Sequence, residues 1–181
     1  MRTGNPSSYE FGLSGIVNVG DFIGLEALDI AIRSGREIDR ESLFRMLEFR
    51  FLDSDPQAIA LLESWLDPAT PTDQRIAAAR ALIRLQTATS TVALSQALYD
   101  SELEVRWTAV RGLIPFANFG RTGRESPEKD WPFPTRETHL NSISTPGLYV
   151  DEEATYLRFW KSWWEDNQNV VRELAAQEAA P

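Results

Sequence analysis

Between Gln57 and Phe119 the apolar positions recur in steps of three and four, and the pattern is written twice. Ile59, Leu62 and Leu66 form one stripe, the spacing of a single face of an α-helix. Asp67-Pro68 and Thr70-Pro71 interrupt it, and Arg75, Ala78, Arg80, Leu82 and Leu85 mark a second helix. The same order returns as Val92, Leu94 and Leu98, then Asp100, then Arg106, Ala109, Arg111 and Leu113. Leu66 stands 32 positions before Leu98, and Leu82 stands 31 before Leu113. A period of this length marks stacked helical hairpins, none of which buries its apolar face alone.

The pattern extends upstream. Leu25, Leu28 and Ile32 repeat the first-helix stripe within a helix expected over Ile23 to Arg33, which Ser34-Gly35 ends. Asp39 reads as an N-cap with Glu41 in the first turn. Arg40, Leu43, Arg45 and Leu47 then match Arg75, Ala78, Arg80 and Leu82 at a constant offset of 35. Phe44, Met46, Phe49 and Phe51 make this helix apolar over much of its surface, so it is expected to be the most enclosed element. Setting Ile16 on Leu82 places Val19 on Leu85 and Gly20-Asp21 on Gln86-Thr87. Residues 8–19 therefore read as the second helix of a hairpin whose first helix is missing. Asp53-Ser54-Asp55-Pro56 caps and opens the helix that follows.

Downstream, a short helix is expected over about Ser90 to Tyr99, and a longer one over about Glu102 to Ala117 that Pro115 should kink or end. Residues 119–150 are punctuated by Gly120, Gly123, Pro127, Pro132, Pro134, Pro146 and Gly147 and read as an irregular excursion. Asp151 opens a final helix whose Tyr156, Trp160, Trp163 and Trp164 form an aromatic face. Beyond Asn167 the pattern weakens, and Ala175 to Pro181 is expected to fray.

The hairpins resemble HEAT repeats in their short bacterial form, the PBS-lyase HEAT-like repeat. Leu94, Leu98, Asp100, Val105, Arg106, Ala109 and Leu113 carry the resemblance, with the parallel set Leu62, Leu66, Arg75, Ala78 and Leu82. It covers roughly residues 8–118, and Tyr156 to Trp164 resembles the aromatic closing helix of many bacterial HEAT proteins. The resemblance implies an all-α, right-handed superhelix of about three and a half hairpins. It also implies that a turn Asp and an early Arg stack from repeat to repeat, as Asp100 and Arg106 are spaced to do, with Asp73 substituting in the longer turn before Arg75. The expected layout is a flexible lead at 1–7, repeats at 8–118, a loop at 119–150 and a capping helix with a frayed tail at 151–181.

Composition narrows the function. The 181 residues carry a formal charge of −9, which argues against phosphate backbones and anionic lipid as partners. Absence of cysteine excludes disulfides, Cys-based zinc sites and a Cys nucleophile. No apolar run approaches the roughly 20 residues of a membrane helix. Met1 to Pro6 lacks the apolar core of an export signal; the cytoplasm is the default compartment, with export open where a leader has been removed.

Two arginine columns run down the array. Arg75 lies seven residues before Leu82 on nearly the same face, so Arg40, Arg75 and Arg106 read as a structural ladder tying turn carboxylates together. Arg80 is two residues before Leu82, roughly 200° around the helix. Arg45, Arg80 and Arg111, with Arg84 one turn on, therefore point away from the core. They read either as a solvated face or as a surface for an acidic partner, with Trp107 as its anchor. The Trp cluster reads as a cap on the last hairpin, against the alternative of a sugar or peptide platform.

Catalysis has little to stand on. His139 is the only histidine and sits in no nucleophile motif. The repeated His-Glu pairs of a deoxyhypusine hydroxylase are absent, and nothing marks a bilin site. Acid pairs such as Asp53/Asp55 and Asp151/Glu152 fall at helix starts, where capping explains them. The expected function is a non-catalytic protein-interaction or scaffold module, with no cofactor and no metal. The alternatives are a nucleic-acid-processing HEAT enzyme of the alkylpurine-glycosylase type and a piece of a larger exported HEAT protein.

Overall fold

A computed structural model describes residues 8–50, 55–118 and 146–179. These residues form eight α-helices and no strand: α1 Ser8–Val17, α2 Phe22–Arg33, α3 Arg40–Arg50, α4 Pro56–Trp65, α5 Thr72–Leu85, α6 Ala88–Ala97, α7 Leu103–Asn118 and α8 Pro146–Glu178. The expected lead at 1–7, the Asp53-Ser54 part of the cap, most of the 119–150 loop and His139 lie outside the described residues. No described helix is long and apolar enough to cross a membrane.

The helices stack in two rows. In one, α2 packs on α4 and α4 on α6; in the other, α1 packs on α3, α3 on α5 and α5 on α7. The rows face each other through α1 with α2, α4 with α5, α5 with α6 and α6 with α7. This is an all-α, solenoid-like stack of helical hairpins, with α1 in the second-helix row as its alignment to α5 requires. One continuous core runs through it from Leu13 and Val17 to Tyr156 and Trp160.

Local chemistry sets the helix starts. The Asp21 carboxylate accepts from the Gly24 N–H at 2.9 Å, and the Asp55 carboxylate from the Gln57 N–H, with Pro56 in the first turn. Asp39 caps α3 through the Ser42 N–H. Hydrogen bonds from the Ser42 hydroxyl and then its N–H hold the Asp39 carboxyl below the usual carboxylate range. Thr87 and Ser90 form a reciprocal capping box at the start of α6.

Several expectations need correction. The expected enclosure of α3 does not hold: it buries Leu43, Phe44 and Leu47, while α6 buries seven of its ten residues, and Gln74, Arg75, Ala77, Ala78, Ala79, Ala81 and Leu82 are all buried in α5. Its alanines let α3, α4, α6 and α7 approach together, whereas Phe49 of α3 is exposed. The short helix α6 begins at Ala88, because the Thr87 cap sets its start, and α7 continues through Pro115 to Asn118. The final helix starts at Pro146, five residues before Asp151, because proline is well tolerated in a first helical turn, where no intrahelical N–H bond is needed.

That helix also runs further than expected, to Glu178. It lies against α6 and α7. Tyr156, Trp160 and Trp164 are buried there and Trp163 packs beside them, while Asn167 and Val171 are buried further along. The Glu178 carboxylate accepts from the Ala88 and Thr89 N–H groups and from the Thr89 hydroxyl. An anion at a helix N-terminus meets unsatisfied N–H donors and the positive end of the dipole. As far as Glu178 the expected fray is thus replaced by a tether; Ala180 and Pro181 lie outside the described residues.

Candidate interaction surface

The arginine ladder fixes the spacing of the second-row helices. Arg75 is 4% exposed and gives its Nε and Nη2 to the two carboxylate oxygens of Asp100, at 2.8 and 3.1 Å. Its Nη1 donates to the Pro68 and Thr70 carbonyls of its own turn. Arg106 repeats the arrangement. Its Nη1 donates to the Asp100 and Ser101 carbonyls, and its Nε reaches Glu153 of α8 at 2.6 Å. Arg40 reaches Asp73 at 3.1 Å. Each guanidinium holds the element that follows it in its row, and Arg75 and Arg106 also clasp their own turn; the planar fork allows both at once.

Beside this ladder α3, α5 and α7 present their outer faces, and Asp73 belongs to both. Glu41, Phe44, Arg45, Glu48, Asp73, Ile76, Ala77, Arg80 and Glu104 line a groove of about 430 Å³ between them. Phe44, Ile76 and Ala77 form an apolar floor. Arg45 also borders a depression of about 460 Å³ with Asn18, Ser42, Met46, Phe49 and Arg50. Arg45 is the wall that the two depressions share.

The second arginine column lies on this surface, but its charge is spoken for. Arg80 sits between Glu48, at 3.0 Å, and Glu104. Arg45 pairs with Glu41 at 2.7 Å within its own helix. Arg111 stacks on the Trp107 ring, 4.7 Å from its centroid. Arg84 is exposed one turn beyond Arg80. Four carboxylates and two guanidiniums line the groove, so its local balance is acidic, like that of the chain.

Trp107 requires a correction. It is only 6% exposed and belongs to the core. Its ring supports Arg111 from below and offers no free face to a partner. The capping aromatics are likewise turned inward: Trp160 stacks edge-on with Phe159 and Trp163, and Trp160 is fully buried.

Sequence reasoning missed Glu48 and Glu104 as partners of Arg80, and Asp29, which accepts from the buried Trp65 indole at 2.8 Å. These pairs join residues 24 to 36 positions apart. The repeat period was the one available signal, since it places residues about one repeat apart side by side. Compared with family models, curated proteins and solved structures, the chain matches none.

Proposed function

We propose that this protein is a non-catalytic interaction module built from HEAT-like hairpins, and that it binds a partner along the α3, α5 and α7 face. The observation that carries this is the groove itself. An apolar floor of Phe44, Ile76 and Ala77 lies between charged rims on three successive second-row helices. Apolar pockets rimmed by oriented charges are the usual form of a peptide-recognition groove.

The rim chemistry selects the partner. With Arg80 held by Glu48 and Glu104, and Arg45 by Glu41, the surface carries more negative charge than positive. A segment with an apolar anchor flanked by Lys or Arg complements it, and an acidic partner does not. The nucleic-acid-processing alternative would set phosphates against Glu41, Glu48, Asp73 and Glu104, where repulsion opposes binding.

Selection of peptides from a display library on the full chain tests this proposal. Enrichment of basic, apolar-anchored sequences that lose binding to Glu41→Lys/Asp73→Lys is the expected outcome. Both carboxylates are exposed, with side-chain accessibilities of 84% and 52%; the reversal also removes the Arg40–Asp73 bridge, so circular dichroism should show the variant folded before its binding is compared. Peptides that bind wild type and variant equally would remove the groove from consideration.

A further inference from the structure

The far end of the stack is built differently from the Trp-lined end. Among the described residues, eight large apolar side chains are exposed, and six of them lie on the first hairpin: Tyr9, Phe11, Ile16, Val19, Ile23 and Ile30. Clustering at one end distinguishes them from the scattered exposed apolar residues of any protein surface. In the second row, α3, α5 and α7 each have a helix on both sides, whereas α1 packs on α2 and α3 alone among the described helices.

The open side of α1 has the pattern that the stack elsewhere buries. Phe11, Gly12, Gly15 and Ile16 align with Ala77, Ala78, Ala81 and Leu82 of α5, all of them covered. In α1 the phenyl of Phe11 is 77% exposed, and a Cβ at Gly12 or Gly15 would meet nothing within 4 Å. Phe11 and Gly15, four residues apart, share one line along the helix. They lie opposite the buried pair Leu13 and Val17. A bulky ring thus stands beside an open hollow on the same face.

Charge identifies the occupant. The run Phe11 to Gly20 contains no charged residue, in a chain of net charge −9. Two such chains repel over most of their surfaces, and this uncharged face is where that repulsion is least. The run itself offers no Lys or Arg to an acidic protein or an anionic membrane, and Arg36, which borders it, is stacked on the Tyr9 ring, 4.4 Å from its centroid. A two-fold contact is self-complementary, so one ring and one hollow on each copy suffice.

We infer that α1 is a self-association face. Two copies meet through it about a two-fold axis, with the Phe11 ring of each in the Gly15 hollow of the other. This contact closes the open ends of both stacks and leaves the groove on α3, α5 and α7 accessible.

Sedimentation velocity of the full chain over a concentration series tests it. The wild type is expected to pass from monomer to dimer as concentration rises. Phe11→Asp and Gly15→Leu should each weaken the dimer by at least about tenfold. Neither disturbs buried packing, and circular dichroism should show both folded. Tyr99→Asp, at an exposed apolar site on the first-row side of the stack, should leave the dimer unchanged. A wild type that stays monomeric up to ~0.5 mM, well into the range of weak association, would overturn the inference. So would a dimer indifferent to Phe11→Asp, one strengthened by Gly15→Leu, or one equally sensitive to Tyr99→Asp.

Discussion

Arg75 and Asp100 meet across a repeat boundary in a buried, two-pronged ion pair, Nε to Oδ2 at 2.8 Å and Nη2 to Oδ1 at 3.1 Å. Their side chains are 5% and 3% accessible. Asp100 also accepts from the Glu102 N–H, shaping the turn that leads into α7. The pair therefore couples the entrance of α5 to the entrance of α7, and with it the spacing of the groove helices.

Removing one member should leave a buried charge without its partner. Arg75→Ala and Asp100→Ala are each expected to cost about 3–5 kcal/mol in urea unfolding. The double variant Arg75→Met/Asp100→Leu should cost less than the two single alanine losses together, because no charge is then stranded. Additive losses would show that the two side chains act independently.

Glu178 should hold the lid through the first turn of α6. Glu178→Ala is expected to destabilise the fold by roughly 1 kcal/mol, the usual effect of losing a cap. Hydrogen exchange should accelerate first at the Ala88 and Thr89 amides, which donate to it. Unchanged protection at these amides would mean that α8 is held without the Glu178 tether.

Gly24 marks the tightest contact between α1 and α2. A Cβ there would lie 2.6 Å from the Ile16 carbonyl oxygen and 3.1 Å from Val17 Cα, both backbone atoms. Gly24→Ala should therefore lower stability by about 1–3 kcal/mol, as overpacking does, although alanine is the better helix former. A rise in melting temperature would contradict that contact.

Asp39 should add an acid-sensitive term to stability. Its carboxyl is held below the ordinary range by the Ser42 hydroxyl and N–H, so its folded pKa lies below its unfolded one. Its contribution is then complete at pH values above the unfolded pKa, about 4, and is lost as pH falls through the folded value. Asn caps nearly as well without titrating. Asp39→Asn should match wild type near neutrality within a fraction of a kcal/mol and lose less stability as pH falls below about 4. Parallel pH profiles for the two proteins would exclude Asp39 as a source of acid sensitivity.

The helices were legible because their signals are local. Steps of three and four reported the stripes of α2, α4 and α5, and the alignment of Gly20-Asp21 with Gln86-Thr87 marked equivalent corners. At both corners a left-handed residue, Gly20 at φ 78° or Gln86 at φ 49°, precedes a capping side chain. What stayed hidden was set by partners distant in sequence. The burial of α5 depends on four neighbours, and the persistence of α8 on Val171 and Glu178 meeting α6. The neutralisation of Arg80 depends on Glu48 and Glu104 in the adjacent helices. The arginine column could be placed on a face by helical geometry, but its free charge could not.

The most direct test of the groove as a binding surface is calorimetric titration of a selected basic, apolar-anchored peptide into wild type and into Ile76→Arg. Ile76 lines the groove from α5, the middle of the three helices, between Glu41 on α3 and Glu104 on α7. Wild type should bind with an affinity that falls as salt is raised, and the folded variant should bind at least about tenfold more weakly. Equal affinity for the two proteins would contradict a partner site on α3, α5 and α7.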